Sequence, residues 1–417
     1  MDSDKYTLID FFESPDKDLF SKTRDFYEFY TDVVSKGYYL YEQEILGKVG
    51  PRVRVMDKAT GKEREMIMMA SNNYLGLTDH PRVIEAMIKG VEEYGTGAGS
   101  ALLLAGTTRA HKALEERIAA FHGREKAAIF SSGYLANLGA ISGLIRSEDI
   151  VINDRFNHAS IIDGCKLSGG KCRTYKHVDM SDLKSVLLRS VNRYKGIFIV
   201  TDGVFSMDGD VAPLGEITDL ARKFNAKLLV DEAHAVGVVG PTGRGTVEMF
   251  GVKDKVDLVV GTLSKASGGV GGYITGTREV IRYIRHYARS FIFTAAPSPA
   301  ICAALKVAFD VIDEEPQLRQ RLWDNLRYMS DRLKRAGFSA NGPYSGIIPI
   351  IIGDEVKMRK MSRDVHQRGL FISAIVYPVV PKNLARFRLS LMATHTKEDL
   401  DEALSILIEA GKKYEVI

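Results

Sequence analysis

The residues able to do chemistry sit at the ends of apolar runs. KLLVDEAH (Lys227–His234) ends its run on Asp231, with His234 three residues on. A carboxylate buried at a strand end is costly unless something pairs it. A pyridinium nitrogen would pair it and stay protonated, so that pyridoxal 5'-phosphate (PLP) could serve as an electron sink. His234 could then hydrogen-bond the ring's phenolic oxygen. GTLSKASGG places Lys265 in a small-residue loop just past another run. Schiff-base chemistry needs an amine at a fixed place, and Thr262 and Ser264 stand ready to hold a phosphate. Ser132-Gly133-Tyr134 follows AAIF and opens a helix, whose free N–H groups favour an anion. His158, in the loop after DIVIN, could stack on a planar cofactor, though such a histidine serves equally as a surface or capping group. DEAH also occurs in nucleotide-hydrolysing motors, but these need an upstream G-x-x-x-x-G-K-[ST] loop, and this chain has none.

These residues need a scaffold that converges them. Candidate strands are Ala127–Phe130, Asp149–Asn153, Gly196–Asp202, Lys227–Glu232, Leu258–Thr262 and Gly271–Gly276, with helical segments between several of them. Near-continuous apolar strands joined by helices predict a buried, mostly parallel α/β sheet. Loops at the carboxyl ends of such strands form the ligand crevice. Upstream, the spacing predicts an amphipathic helix from about Asp16 to Tyr41, a hairpin turning around Ala59–Lys62, and helices at about His80–Tyr94 and Arg109–Phe121. GTGAGSALLLAGT (Gly95–Thr107) reads as a loop of unusual backbone angles, lacking the dinucleotide fingerprint. A long helical stretch runs from Pro297 to about Ala336. A βαβ-like tail closes the chain: GIIPIII, a helix over Met358–Gly369, FISAIVYP, RFRLSL and a helix over Lys397–Tyr414. The expected division is an arm and hairpin (1–70), a large cofactor-binding domain (71–299) and a small α+β domain (300–417).

The 417 residues suffice for this, and 45% hydrophobic residues supply a core. A net charge of +4 gives no reason to invoke nucleic acid. No apolar run approaches a membrane span, and the acidic N-terminus lacks a signal pattern. Cys165, Cys172 and Cys302 are odd in number and lack zinc-ligand spacing, so no metal is expected. They predict reduced, small core residues in a cytoplasmic setting.

NHASIIDG, TDGVFSMDGD, VDEAHAVGVVGPTGRG, GTLSK and RFRLSLMATHT together resemble the α-oxoamine synthase family, a branch of fold-type I PLP enzymes. The resemblance runs from SNNYLGL to the final helix. It implies a mostly parallel sheet with helices on both faces plus a smaller C-terminal domain. It implies Lys265 as the Schiff-base lysine, Asp231 on the pyridine nitrogen and His158 stacked on the ring. His234 and Ser206 would lie near the ring oxygen, with Gly133, Tyr134, Thr262 and Ser264 around the cofactor. Arg388 matches an arginine for the amino-acid carboxylate, a role suited to its fork, and Asn72 matches a substrate-contacting asparagine. Thr294 matches a position reaching the phosphate of the partner subunit, which implies a homodimer with shared sites. The implied reaction is a decarboxylative Claisen condensation of a small amino acid (serine, glycine or alanine) with an acyl thioester, giving an α-aminoketone.

KGYYLYEQEILGKVG, TYKHVDM, RHYARSFIFTA and LMATHTKEDL are similar to bacterial serine palmitoyltransferases, which makes that the leading expectation. LRQRLWDN, the AGF segment and YPVVPKNLARFR are similar to glycine C-acetyltransferase. Both groups usually carry an arginine after the serine of the glycine-rich loop, where this chain has Ala101 after Ser100. VYPVVPKN replaces the proline-rich substrate loop of the palmitoyltransferases. Alanine or cysteate, a carrier-protein thioester and 8-amino-7-oxononanoate synthesis are therefore further readings. An aminotransferase on the same fold is another. A non-catalytic partner subunit is disfavoured by the intact Lys265.

Overall fold

The computed structural model describes residues 1–58, 61–340 and 342–417. Its contacts divide the chain into two compact units. One comprises Met1–Ser71, Trp323–Pro343 and Ile347–Ile417; the other comprises Asn72–Leu322 with Tyr344–Gly346.

After two short 3-10 turns, Ser3–Lys5 and Leu8–Phe11, the first unit forms a helix over Ser21–Ser35, shorter than the Asp16–Tyr41 expectation. Leu19 and Phe20, counted into its apolar face, lie outside it and are exposed. Strands β1 (Glu44–Ile45), β2 (Arg52–Asp57) and β3 (Lys62–Met68) follow as an antiparallel meander. Alternation fixes the register: Arg52 and Arg54 are exposed, while Val53 and Val55 are buried. Val53, Val55, Met66, Met68 and Met392 pack into one cluster, each such burial contributing about 1.5–3 kcal/mol. Of the expected turn, Ala59 and Thr60 lie outside the described residues.

The second unit is built on seven strands: β4 (Lys126–Phe130), β5 (Ile150–Asp154), β6 (Lys171–Tyr175), β7 (Ile197–Asp202), β8 (Lys227–Asp231), β9 (Leu258–Thr262) and β10 (Gly272–Gly276). Their spatial order is β4-β10-β9-β8-β7-β5-β6. Strands β9, β8, β7, β5 and β6 are parallel neighbours, and β10 runs antiparallel between β4 and β9. Every residue of β5 and β7 is buried, as a sheet covered on both faces requires. Strand β6 escaped the sequence reading because KCRTY carries no apolar run; it is an edge strand exposed at four of its five residues.

The predicted helical stretch beyond Pro297 is two helices, Pro299–Glu314 and Pro316–Arg335. Pro316 lacks the N–H that would continue the first. The first helix belongs with the large sheet, so the compact unit runs past 299 to Leu322. Its close approach to the Pro81–Tyr94 helix is permitted by Gly90, where a Cβ would stand 2.8 Å from Ala300 Cα.

The first unit's tail supplies β11 (Ile347–Gly353), β12 (Leu370–Phe371), β13 (Ser373–Ile375) and β14 (Ala385–Ser390). FISAIVYP, read as one strand, is thus two: β12 joins β3 in parallel, while β13 pairs with β14 in the sheet β11-β14-β13. Helices Glu355–Gln367 and Lys397–Lys413 complete this unit. Among the described residues, no helix is long and apolar enough to cross a membrane.

Candidate active site

Because β5, β7, β8 and β9 are parallel, their carboxyl ends share one edge of the sheet. Strand β4 points the same way, since β10 is antiparallel to both β4 and β9. That edge carries a pocket of about 240 Å³ lined by Gly133, Tyr134, His158, Ser206, Asp231, His234, Thr262, Ser264 and Lys265. Nine residues singled out in the sequence therefore meet in one place. An apolar cavity of about 520 Å³ in the other unit lies between the Ser21–Ser35 helix and Phe371–Val376. No lysine or histidine lines it, so the smaller pocket holds the chemistry.

Asp231 ends β8 almost wholly buried. Its Oδ1 accepts from Ala233 N at 2.8 Å, and its Oδ2 accepts from Asn137 Nδ2 at 2.5 Å. Asn137 also donates to Ser160 Oγ at 2.9 Å, and Ser160 Oγ lies 2.7 Å from His158 Nδ1. One network thus joins the carboxylate to the imidazole. His158 caps the Ala159–Leu167 helix as well, accepting from Ser160 N. The capping and stacking readings of His158 are compatible. Although the residue as a whole is solvent-accessible, its ring packs edge-to-face beside Tyr134, with centroids 6.2 Å apart. Desolvation, helped by the charge of Lys265, holds the imidazole below its usual pKa against the opposing pull of Asp231.

Asp202, at the end of β7, accepts from His158 N at 3.0 Å through Oδ2. Burial and then the neighbouring Asp231 push its pKa well above the carboxylate range. Its Oδ1, like Asn137 Oδ1, is buried with no hydrogen-bond partner. Tyr74, fully buried, places its hydroxyl 2.8 Å from His234 Nδ1 and 3.2 Å from Asn72 Oδ1, bringing Asn72 into the same constellation.

The opposite wall is an anion site. Ser132 caps the Gly133–Leu144 helix, accepting from Leu135 N at 3.1 Å. Thr262 sits against the start of that helix, so close that a Cβ on Gly133 would lie 3.0 Å from Thr262 Cβ. Thr262 Oγ1 and Ser264 Oγ are 2.8 Å apart, giving two hydroxyls beside a helix N-terminus. Lys265 is half-buried, in a loop closed by Gly268 N donating to Lys265 O and Gly269 N donating to Leu263 O.

Two hydroxyls beside a helix N-terminus, an amine and a buried carboxylate around one pocket fit PLP: the hydroxyls and helix terminus would hold its phosphate, Lys265 its aldehyde carbon and Asp231 its ring nitrogen. Thr294, by contrast, does not line this pocket. Arg388 belongs to the other unit, buried in β14 with Nη1 donating to Ser390 Oγ at 3.0 Å. Asn137, Ser160, Asp202 and Tyr74 were missed by the sequence reading. Two of them carried a signal: Asn137 interrupts the apolar helix GYLANLGAISGL, and Asp202 ends IFIVTD as Asp231 ends KLLVD.

Two loops of this edge are braced from behind by His177. Its Nδ1 lies 2.9 Å from Asp154 Oδ1 and its Nε2 lies 2.9 Å from Asp210 Oδ2, while Phe156 stacks on its ring. Burial opposes the charge, but the two carboxylates outweigh it and raise the pKa to about 9. A folded-state pKa raised above the unfolded value stabilises fully below the unfolded pKa, and that stability is lost as the pH rises through about 9. Stability should therefore fall by about 3 kcal/mol between pH 6 and pH 10 on account of this group. Urea denaturation at both pH values checks this; an identical fall in His177→Gln would contradict it.

The chain matches the family model for class I and II aminotransferases over residues 64–407. It is 45% identical over 375 residues to 8-amino-7-oxononanoate synthase 1 of Bacillus velezensis, covering 90% of this chain and 94% of that protein. It is 43% identical over 357 residues to the serine palmitoyltransferase of Bacteriovorax stolpii, covering 86% of this chain and 85% of that protein. The solved structure of Sphingomonas wittichii serine palmitoyltransferase superposes with a TM-score of 0.91 at 33% identity, covering 96% of this chain and all of that one.

Proposed function

The chain belongs to the α-oxoamine synthases, PLP-dependent acyltransferases, and from that premise we propose that it condenses alanine with the thioester of a seven-carbon dicarboxylic acid. The observation carrying this reading is the high identity to a protein named for making 8-amino-7-oxononanoate. That product has its ketone at C7, its amine at C8 and one carbon beyond. If an amino-acid α-carbon joins an acyl carbonyl and loses its carboxylate, C8 and C9 come from alanine. C1 to C7 then come from the acyl group, with a free carboxylate at its far end. The serine and long-chain expectation becomes the second reading, favoured by the structural likeness that extends over 96% of the chain.

PLP, when bound, supplies the sink for the electron pair left on the amino-acid α-carbon. The chain's own groups do the rest. Asp231 would keep the ring nitrogen protonated, and Asn137 and Ala233 N hold that carboxylate in place. Lys265 Nζ would hold the cofactor in the resting enzyme and then take the α-proton. His158, whose pKa desolvation lowers, would pack on the ring and could polarise the acyl carbonyl through its N–H. Ser206 and His234, both lining the pocket and the latter held by the Tyr74 hydroxyl, would lie near the ring oxygen. The new bond joins the α-carbon to the acyl carbon; the thiol and carbon dioxide depart, and a proton returns to the α-carbon.

Arg388 holds the substrate carboxylate. Arg388→Ala should raise the KM for the amino acid by about tenfold to a hundredfold, the worth of a charge-assisted hydrogen bond. An unchanged KM would remove it from that role. The assembly is a homodimer with shared sites, a reading supported by Thr294 lying outside its own chain's pocket.

Thiol release from heptanedioyl-, acetyl- and hexadecanoyl-CoA, each with alanine, glycine or serine, tests the substrate assignment. Fastest release with alanine and the dicarboxylic thioester is expected. Fastest release with serine and the long chain would establish the second reading instead.

A further inference from the structure

The second unit holds another cavity, of about 580 Å³, bordered by the Arg109–His122 helix, the start of β4 and the Arg278–Tyr287 helix. It lies at the end of β4 away from the cofactor pocket. Lys126 opens β4 beside Gly276, the last residue of β10, whereas Gly133 lies beyond the other end of that strand. The rise of one such strand, roughly 15 Å, separates the two. Six cationic side chains line the cavity, Lys112, Arg124, Lys126, Arg278, Arg282 and Arg285, against three carboxylates. Arginines at i, i+4 and i+7 of one helix place three guanidinium groups on one face. The acids present are already engaged. Buried Glu115 accepts from Lys112 Nζ at 3.2 Å through Oε2, and from Arg285 Nη2 and Ile129 N through Oε1. Glu125 accepts from Arg278 N at 3.2 Å, at the helix start. Among the described residues, Arg124, Lys126, Arg278 and Arg282 form no ion pair. Arg124 is half-buried, and its Nε and Nη2 are buried with no hydrogen-bond partner.

We propose that this cavity binds a diphosphate group, as the free anion or as part of a nucleotide, at a site separate from the cofactor pocket. Like charges on adjacent turns repel one another, and a buried donor without an acceptor destabilises the fold. A bound polyanion offsets both. A merely solvated basic face would offset neither, and it would not border a concavity kept open by buried Ala119 and Ala127. Planar guanidinium forks match phosphate oxygens two at a time, which makes phosphate the anion of choice for arginine. Side chains at i and i+4 leave the helix about 5–6 Å apart, so Arg278 and Arg282 can converge on neighbouring phosphoryl groups. Lys126 adds charge at the strand start, and Arg124 adds the donors that now lack acceptors. Four cations without ion-pair partners call for more charge than one phosphate carries, hence two linked phosphoryl groups.

The test titrates the PLP-loaded protein, whose own phosphate site is filled, with inorganic diphosphate and with ADP in a calorimeter. One saturable site is expected, with an affinity that falls as salt is added. Tighter binding of ADP would mark a nucleotide site, and tighter binding of the inorganic ion a site for the free anion. Replacing Arg278 and Arg282 together by alanine should weaken binding at least about tenfold, the worth of a charge-assisted hydrogen bond. Both side chains are exposed and form no ion pair, so this variant should melt like the parent when no anion is present. Arg282→Gln, which keeps most of the stem, gives the same reading if the double variant is unstable. No saturable binding of either ligand would overturn the proposal. So would an affinity unchanged by these substitutions, or equal affinity for citrate, which has comparable charge but no phosphoryl group.

Discussion

Lys265→Ala should lower turnover at least about 10⁴-fold, because it would remove both the proposed covalent anchor and the proposed base. The protein should also lose the visible absorbance of lysine-bound PLP. The side chain is half-buried in a short loop whose backbone bonds do not use it, so the variant should fold. Lys265→Arg separates charge from chemistry: a guanidinium keeps the positive charge but holds its proton near neutral pH. It should be as inactive as the alanine variant. A thermal melt matching the parent, together with lost turnover, would assign the defect to the amine. Retained turnover in either variant would end the account of Lys265.

Asp231→Asn should cost about 10² to 10³ in kcat, the size expected for one preorganised electrostatic partner. The substitution keeps the shape while removing the charge proposed to hold the proton on the ring nitrogen. Ala233 N can still bond the remaining carbonyl, but one end of the amide must now face Asn137, whose Nδ2 currently donates to Oδ2. Asp202 should respond too: part of its raised pKa comes from Asp231, so its carboxyl should ionise more readily in the variant. The expected signature is a cofactor spectrum whose pH dependence shifts while cofactor stays bound. A kcat within a few-fold of the parent would mean that Asp231 does not serve the ring nitrogen.

The strands that carry the site were legible because they are buried on both faces. The run KLLVD is apolar and buried from Leu228 to Val230 and ends on Asp231. Asp231 was legible for the same reason, since a charge that closes an apolar run needs a partner; Asp202 closes its run in the same way and was passed over. Strand β6 was not legible, because an edge strand exposed to water has no apolar requirement. Pro316 was absorbed into a long helical pattern because apolar spacing continues on both sides of it. Tyr74 and Ser160 could not be seen at all. Each acts through a partner distant in sequence, Tyr74 on His234 and Ser160 on Asn137, and no local pattern announces such a pair. Cysteine reasoning went only halfway: Cys165 and Cys302 are core residues as expected, but Cys172 is exposed on the edge strand.

One active site is proposed both to release carbon dioxide and to transfer an acyl group. The direct measurement uses carboxyl-labelled alanine with an acyl-CoA and follows labelled carbon dioxide and free thiol in the same reaction. The prediction is equal release of the two, dependent on both substrates and lost in Lys265→Ala. Amino-group transfer to an oxo acid with neither carbon dioxide nor thiol released would contradict it, and would make this chain an aminotransferase built on the same fold.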